Sequence, residues 1–252
     1  MKPIIILSFY NLISFTLITG ILILCRKVIR KESTKDIVLK SVSIVVVLIH
    51  LSSMYVDFFA NKGEAVIEDN ILLPIYPCNI IMWLLVVVAF MKNKTSKLFN
   101  TLAQFTFLVG TVAGVVGVLI NFNFLNNPTL ADYDILKGLL SHWVMIFGTI
   151  YLFVFKYIKL DVVNTTKGVF WGLVLFASIG AIINTLFFAF DIPSVNAMYM
   201  LYPPIPELPF INFYSIGLFG ILITFLGLNI YELFTLKKED RWINKVVLER
   251  SR

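Results

Sequence analysis

Apolar runs of about 20 residues recur seven times along this chain, at about 4–25, 37–60, 71–91, 98–120, 137–155, 168–190 and 210–236. At about 1.5 Å of helix per residue, each is long enough to cross a hydrocarbon layer roughly 30 Å thick. With 59% hydrophobic and only 14% charged residues, no single water-soluble core could hide these side chains. None of the runs alternates polar with apolar residues, and lipid tolerates only helices or closed barrels. The expected fold is therefore all-α: one transmembrane domain over residues 1–252, a bundle of seven membrane-spanning helices with a basic tail at 237–252.

Charge orients the bundle. The net charge of +6 is not a nucleic-acid footprint, because the basic residues sit in short connections between apolar runs and not on one solvated face. The first, third and fifth connections and the tail hold 18 of the 21 lysines and arginines, whereas Lys2, Lys62 and Lys137 lie on the other side. The positive-inside rule then puts the N-terminus outside and the tail inside. The first run lacks a small-residue cleavage site and carries Leu24 before Cys25, so it reads as a retained helix. Cys25 and Cys78 fall near opposite faces in this topology, beyond the reach of a disulfide.

The third run differs from a plain anchor. It opens with Pro74, Pro77, Cys78 and Asn79, so a helix beginning at Pro77 leaves the next backbone N–H groups unpaired, an end that favours a thiolate and receives an oxyanion. Counted from the outer boundary at 1.5 Å per residue, Cys78 lies about 10 Å deep and His142 about 8 Å deep. Asp57 and Asn184 lie at about 5 and 10 Å, Asn212 and Tyr214 enter the seventh run at a similar level, and His50 sits deeper, near the midplane. The inner halves of the runs carry few such groups, and polar groups in hydrocarbon ordinarily face a cavity or a partner.

Taken singly, these residues have ordinary explanations. A lone cysteine is most often a small buried hydrophobe, and a lone histidine an interhelical hydrogen-bonding residue. Together, Cys78 and His142 form a candidate nucleophile and base, since a thiol needs help to ionise in an apolar site. Asn79, Asn184, Asn212 and Tyr214 are candidates to hold a substrate. His50 and Asp57, two turns apart on one face, fit a support pair, a proton path or a weak metal site; no ligand cluster at metal spacing accompanies them, so no metal or cofactor is expected. Gly110, Gly114 and Gly117 signal close helix packing. The proline-rich connection from Asp191 to Pro209 cannot be a continuous helix, and its apolar and aromatic residues suit a lid lying over the membrane surface.

Three separated stretches, YPCNIIMWLL, SHWVMIFGTIYLFV and YPPIPELPFINFYSIGLFG, resemble the YwaF-like integral membrane proteins of bacteria over about residues 71–236. That group is similar to a eukaryotic transmembrane family for which cysteine-dependent acyl transfer to ether phospholipids has been proposed. The resemblance implies a bacterial cytoplasmic membrane protein whose partners are membrane phospholipids and not nucleic acid. It places the family's Pro-Cys-polar motif on Pro77, Cys78 and Asn79 and its fifth-span histidine on His142, with Asn79 standing where a histidine is expected in many relatives. The leading expectation is a lipid acyltransferase working through a Cys78 thioester. The alternative is a protein that binds or transports a lipid or small molecule without catalysis.

Overall fold

The computed structural model describes residues 2–60, 75–190, 195–204 and 207–250, without the side chains of residues 57, 58, 60, 122 and 247–250. Among the described residues it is helical, with no strand. The helices are α1 (Pro3–Val28), α2 (Glu32–Ala60), α3 (Pro77–Phe90), α4 (Lys97–Leu119), α5 (Phe122–Asn126), α6 (Tyr133–Val154), α7 (Val162–Ala189), α8 (Phe213–Thr235) and α9 (Trp242–Arg250). Short 3-10 turns occupy Ala197–Tyr199 and Lys238–Asp240.

By length and composition, six segments could cross a membrane: α1, α2, the α4–α5 segment, α6, α7 and α8. The third apolar run yields only the 14-residue α3, because Tyr76 is extended and Pro77 opens the helix. Its expected first residues, 71–74, lie outside the described residues, as do the acidic connection at 61–70 and residues 191–194. Several boundaries also move. α2 starts at Glu32 and not near 37, α7 at Val162 and not at 168, and α8 at Phe213 and not at 210.

Local chemistry accounts for these starts. Glu32, Lys35, Asp36 and Lys40 pair along α2, with Lys35 Nζ 2.5 Å from Glu32 and Lys40 Nζ 2.9 Å from Asp36, so the helix continues past its apolar run. Asp161 caps α7 by accepting from Asn164 N–H at 2.7 Å. Asn212 and Ser215 form a capping box at the start of α8.

The centre of the bundle is α2, α3, α4 and α6, with α7 packed on α4, α8 on α7, and α1 against α6. Small residues set the close approaches. A Cβ on Gly110 would lie 2.6 Å from both Ile81 and Thr149, so α3 and α6 both press on α4 there. Gly114 meets Met145 and Ile146, and Gly117 meets His142, a succession that fixes α4 and α6 as antiparallel neighbours. Fully buried Leu85, Val88, Phe99, Leu139 and Leu152 fill the space between.

The basic end of the bundle is tied by polar contacts. Lys94 Nζ donates to the last carbonyls of α3, Val88 O at 2.9 Å and Ala89 O at 2.6 Å, and lies 3.5 Å from Asp36. Gln104 Nε2 donates to Lys159 O at 2.5 Å. Glu232, only 5% exposed, accepts from Val162 N–H at 3.4 Å and Trp242 N–H at 2.7 Å, joining the N-termini of α7 and α9. At the other end, buried Asn11 of α1 donates to Val118 O at 2.8 Å and accepts from Trp143 Nε1 at 3.4 Å.

Candidate functional site

One junction gives the central helices a common reference. Leu85 of α3 and Val42 of α2 both close on Gly148 of α6, where a Cβ would lie 2.6 Å and 3.0 Å from their side chains. Counting away from the basic end at 1.5 Å per residue, Cys78 lies about 10 Å along α3, His50 about 12 Å along α2 and His142 about 9 Å along α6. These three residues therefore share a layer, with Gly117 of α4 beside the His142 ring. His50, expected nearer the midplane, is about level with the other two when counted from this junction. Depths counted from separately assigned span ends are not comparable, because α2 continues to Ala60 while α3 begins only at Pro77.

Cys78 is the second residue of α3, on the face it shares with Ile81 and Leu85, the residues that press on α4 and α6. The Asn79 and Ile80 N–H groups, expected to be unpaired, instead donate to Tyr76 O at 3.0 and 3.3 Å, because extended Tyr76 turns its carbonyl into the first turn of α3. The Cys78 thiol donates to Asn79 Oδ1 at 3.3 Å. His142 Nδ1 bonds Gly138 O at 2.7 Å in its own helix. That bond makes Nδ1 the protonated nitrogen and leaves Nε2 as the basic one. The Nε2 edge of the ring lies against α4 at Gly117. Cys78 and His142 are thus level but not hydrogen-bonded to each other. His50 is buried, and one turn farther along its face Ser53 carries a buried Oγ with no hydrogen-bond partner. Asp57 falls in α2, but its side chain lies outside the described residues.

The asparagines turn inward to the backbone. Asn184 of α7 clamps one peptide: Ala197 N–H donates to its Oδ1 at 2.7 Å and its Nδ2 donates to Ala197 O at 3.2 Å. Asn212 accepts from Tyr214 N–H and Ser215 N–H and donates to Pro209 O at 3.1 Å. Both amides are therefore occupied in holding chain segments. Tyr214 is 61% exposed, at the head of a helix packed chiefly against α7.

The proline-rich connection reaches into the bundle. Val195, Asn196, Ala197 and Met198 are all buried. Asn196 donates to Tyr202 O at 2.7 Å and accepts from Leu201 N–H at 2.9 Å, closing a compact loop. Met198 N–H donates to Ile75 O at 2.8 Å. Tyr199 stacks on Tyr76 with ring centroids 5.0 Å apart. Met198 and Tyr199 adopt φ of 57° and 56°, a left-handed pair that costs roughly 1–2 kcal/mol per non-glycine residue. Burial pushes the Tyr199 phenol up, and the neighbouring Cys78 and Tyr76 add to the shift. Asn196 and Ser53 escaped the sequence reading, and Tyr199 entered it only as one of the aromatic residues of the connection. The available signal was Asn196, a polar residue inside the apolar stretch Val195–Met198 of a connection.

A family model for the TMEM164 family matches residues 2–230. The chain belongs to the TMEM164 family. Membership of this membrane protein family, together with six sufficiently long apolar helices, makes it a multi-pass membrane protein. No curated protein and no solved structure matches it.

Proposed function

We propose that this TMEM164-family chain is a lipid acyltransferase whose nucleophile is Cys78, lying with seven spans in a bacterial cytoplasmic membrane, N-terminus outside. The observation that carries the reading is the placement of Cys78 in the first turn of α3, at the level of His142. The resemblance of the Pro77–Cys78–Asn79 stretch to the YwaF-like proteins supports it.

In the first half-reaction, Cys78 gives its proton to His142 Nε2 as the side chain leaves Asn79. The sulfur attacks the ester carbonyl of a phospholipid, and the positive end of the α3 dipole stabilises the oxyanion. The ester C–O bond breaks, the leaving lysophospholipid oxygen takes the proton from His142, and an acyl thioester remains on Cys78. In the second half-reaction, the hydroxyl of an acceptor lysophospholipid gives its proton to His142 and attacks the thioester. The C–S bond breaks and the thiol regains the proton. Asn184 and Asn212 shape the backbone around the site, Tyr214 stands at the headgroup level, and His50 supports the layer.

The test follows labelled acyl chains between phospholipids in proteoliposomes. Cys78→Ala and Cys78→Ser abolish transfer, and His142→Gln lowers it by about a hundredfold or more, the usual contribution of a general base. Full transfer by Cys78→Ala removes the cysteine mechanism.

A second reading, lipid or small-molecule binding without catalysis, is favoured by one observation: the thiol bonds Asn79 and not His142. An acyl-mimetic electrophile separates the two. Rapid labelling of Cys78 that depends on His142 supports the enzyme, and an inert Cys78 supports the binder.

A further inference from the structure

We infer that residues 195–202 form a latch over Cys78 and that Asn184 is the positioning residue that keeps it shut. The inference deepens the reading of Cys78 as the reacting group, but its own evidence is geometric. The loop is closed on itself by the two hydrogen bonds of Asn196 and fixed to α7 by the two of Asn184. It is seated in a notch at Gly180, where a Cβ would lie 2.9 Å from Met198 and 2.6 Å from Met200.

From that anchorage the loop grips the chain just before Cys78 in two ways. Met198 N–H satisfies Ile75 O, and the Tyr199 ring covers Tyr76. Both grips come from the left-handed pair Met198–Tyr199, which holds its conformation only because surrounding contacts over-determine it. If the Asn184 clamp is removed, the segment loses its hydrogen-bonded tie to α7 and keeps only its seat at Gly180, so it relaxes and the approach to Cys78 opens. A closed latch keeps water from a thioester, and an open one admits lipid.

The experiment measures the rate at which a membrane-permeant maleimide alkylates each cysteine of the full chain in native membranes, read by mass spectrometry. Cys25, at the basic end of α1, is the internal reference. Asn184→Ala raises the Cys78 rate about tenfold with Cys25 unchanged, the factor expected when the two hydrogen bonds of the clamp together contribute about 1.4 kcal/mol to closure. Asn184→Asp, which still accepts from Ala197 N–H but cannot donate to Ala197 O, falls between wild type and Asn184→Ala. Asn229→Ala removes only the bond from Asn229 Nδ2 to Phe225 O within α8 and leaves the Cys78 rate unchanged.

A rise in Asn184→Ala below about threefold overturns the latch, since opening then costs no more than ordinary local fluctuation. An equal rise at Cys25, or in Asn229→Ala, reports general loosening and also overturns it. Alkylation does not depend on acyl transfer, so failure of the latch and failure of the acyltransferase reading give different results.

Discussion

Replacing Gly117 with alanine is a direct test of where the His142 ring lies. The added Cβ would come closer than 3.0 Å to His142 Cδ2 and Nε2, whereas relaxed carbon contacts lie at about 3.5–4.0 Å. The ring cannot simply swing away, because its Nδ1 bond to Gly138 O, at 2.7 Å, would break at a cost of about 1 kcal/mol. Moving α4 outward instead would loosen the contacts of Gly110 and Gly114 with Ile81, Thr149 and Ile146. Overpacking of this kind costs about 1–3 kcal/mol, and the helix gains back roughly 0.5–1 kcal/mol from glycine to alanine, leaving a net loss of about 1–2 kcal/mol.

Gly138→Ala is the matched control in the facing helix. Its Cβ would meet only Asn121 Nδ2, at an ordinary 3.7 Å, so it keeps the propensity gain without the clash. The two variants should differ by roughly 2 kcal/mol, or about 4–8 °C in melting temperature for a chain of this size. Thermal unfolding of both in the same detergent, followed by tryptophan fluorescence, reads the difference. Gly117→Ala melting at or above Gly138→Ala would refute the packing of His142 against α4, and with it the layer assigned to that ring.

Two further outcomes concern the ends of the bundle. Asn11→Ala leaves Trp143 Nε1 and Val118 O without their partner, and should lower stability by about 0.6–2 kcal/mol, measured by detergent-phase unfolding. Glu232→Gln can present its oxygen to only one of the two N–H groups that Glu232 now serves, so α7 or α9 loses its tie at a cost of about 1–2 kcal/mol. Because Trp242 packs edge-on against Phe225 at 5.2 Å, its fluorescence should shift toward that of exposed tryptophan.

The helices were legible because hydrocarbon demands long apolar runs, and the break at Pro77 because proline cannot donate. Pairings made across the bundle were not. Asn184 reads equally as a headgroup ligand or a clamp until the chain 13 residues on is seen to return to it. Gly117 announces close packing, yet nothing near it names His142 as what fills the space. The start of α2 was hidden because Glu32, Lys35, Asp36 and Lys40 look like a solvated connection until their spacing is read as ion pairs along a helix. The five-residue α5, begun by Asn121 accepting from Phe124 N–H at 2.9 Å, is too short for any periodicity to reveal.

The brevity of α3 ties the site to the bilayer itself. Fourteen residues rise only about 21 Å, some 9 Å less than an average hydrocarbon core, and the carbonyl end of α3 is held at the basic boundary by Lys94. In the proposed seven-span arrangement, the whole shortfall would fall at the end bearing Cys78. A thicker, more ordered membrane buries that first turn deeper in acyl chains, and a thinner one lifts it toward the headgroups. Lipid chain length thus acts on the reach of Cys78 as a mechanical variable, apart from any lipid that occupies the site.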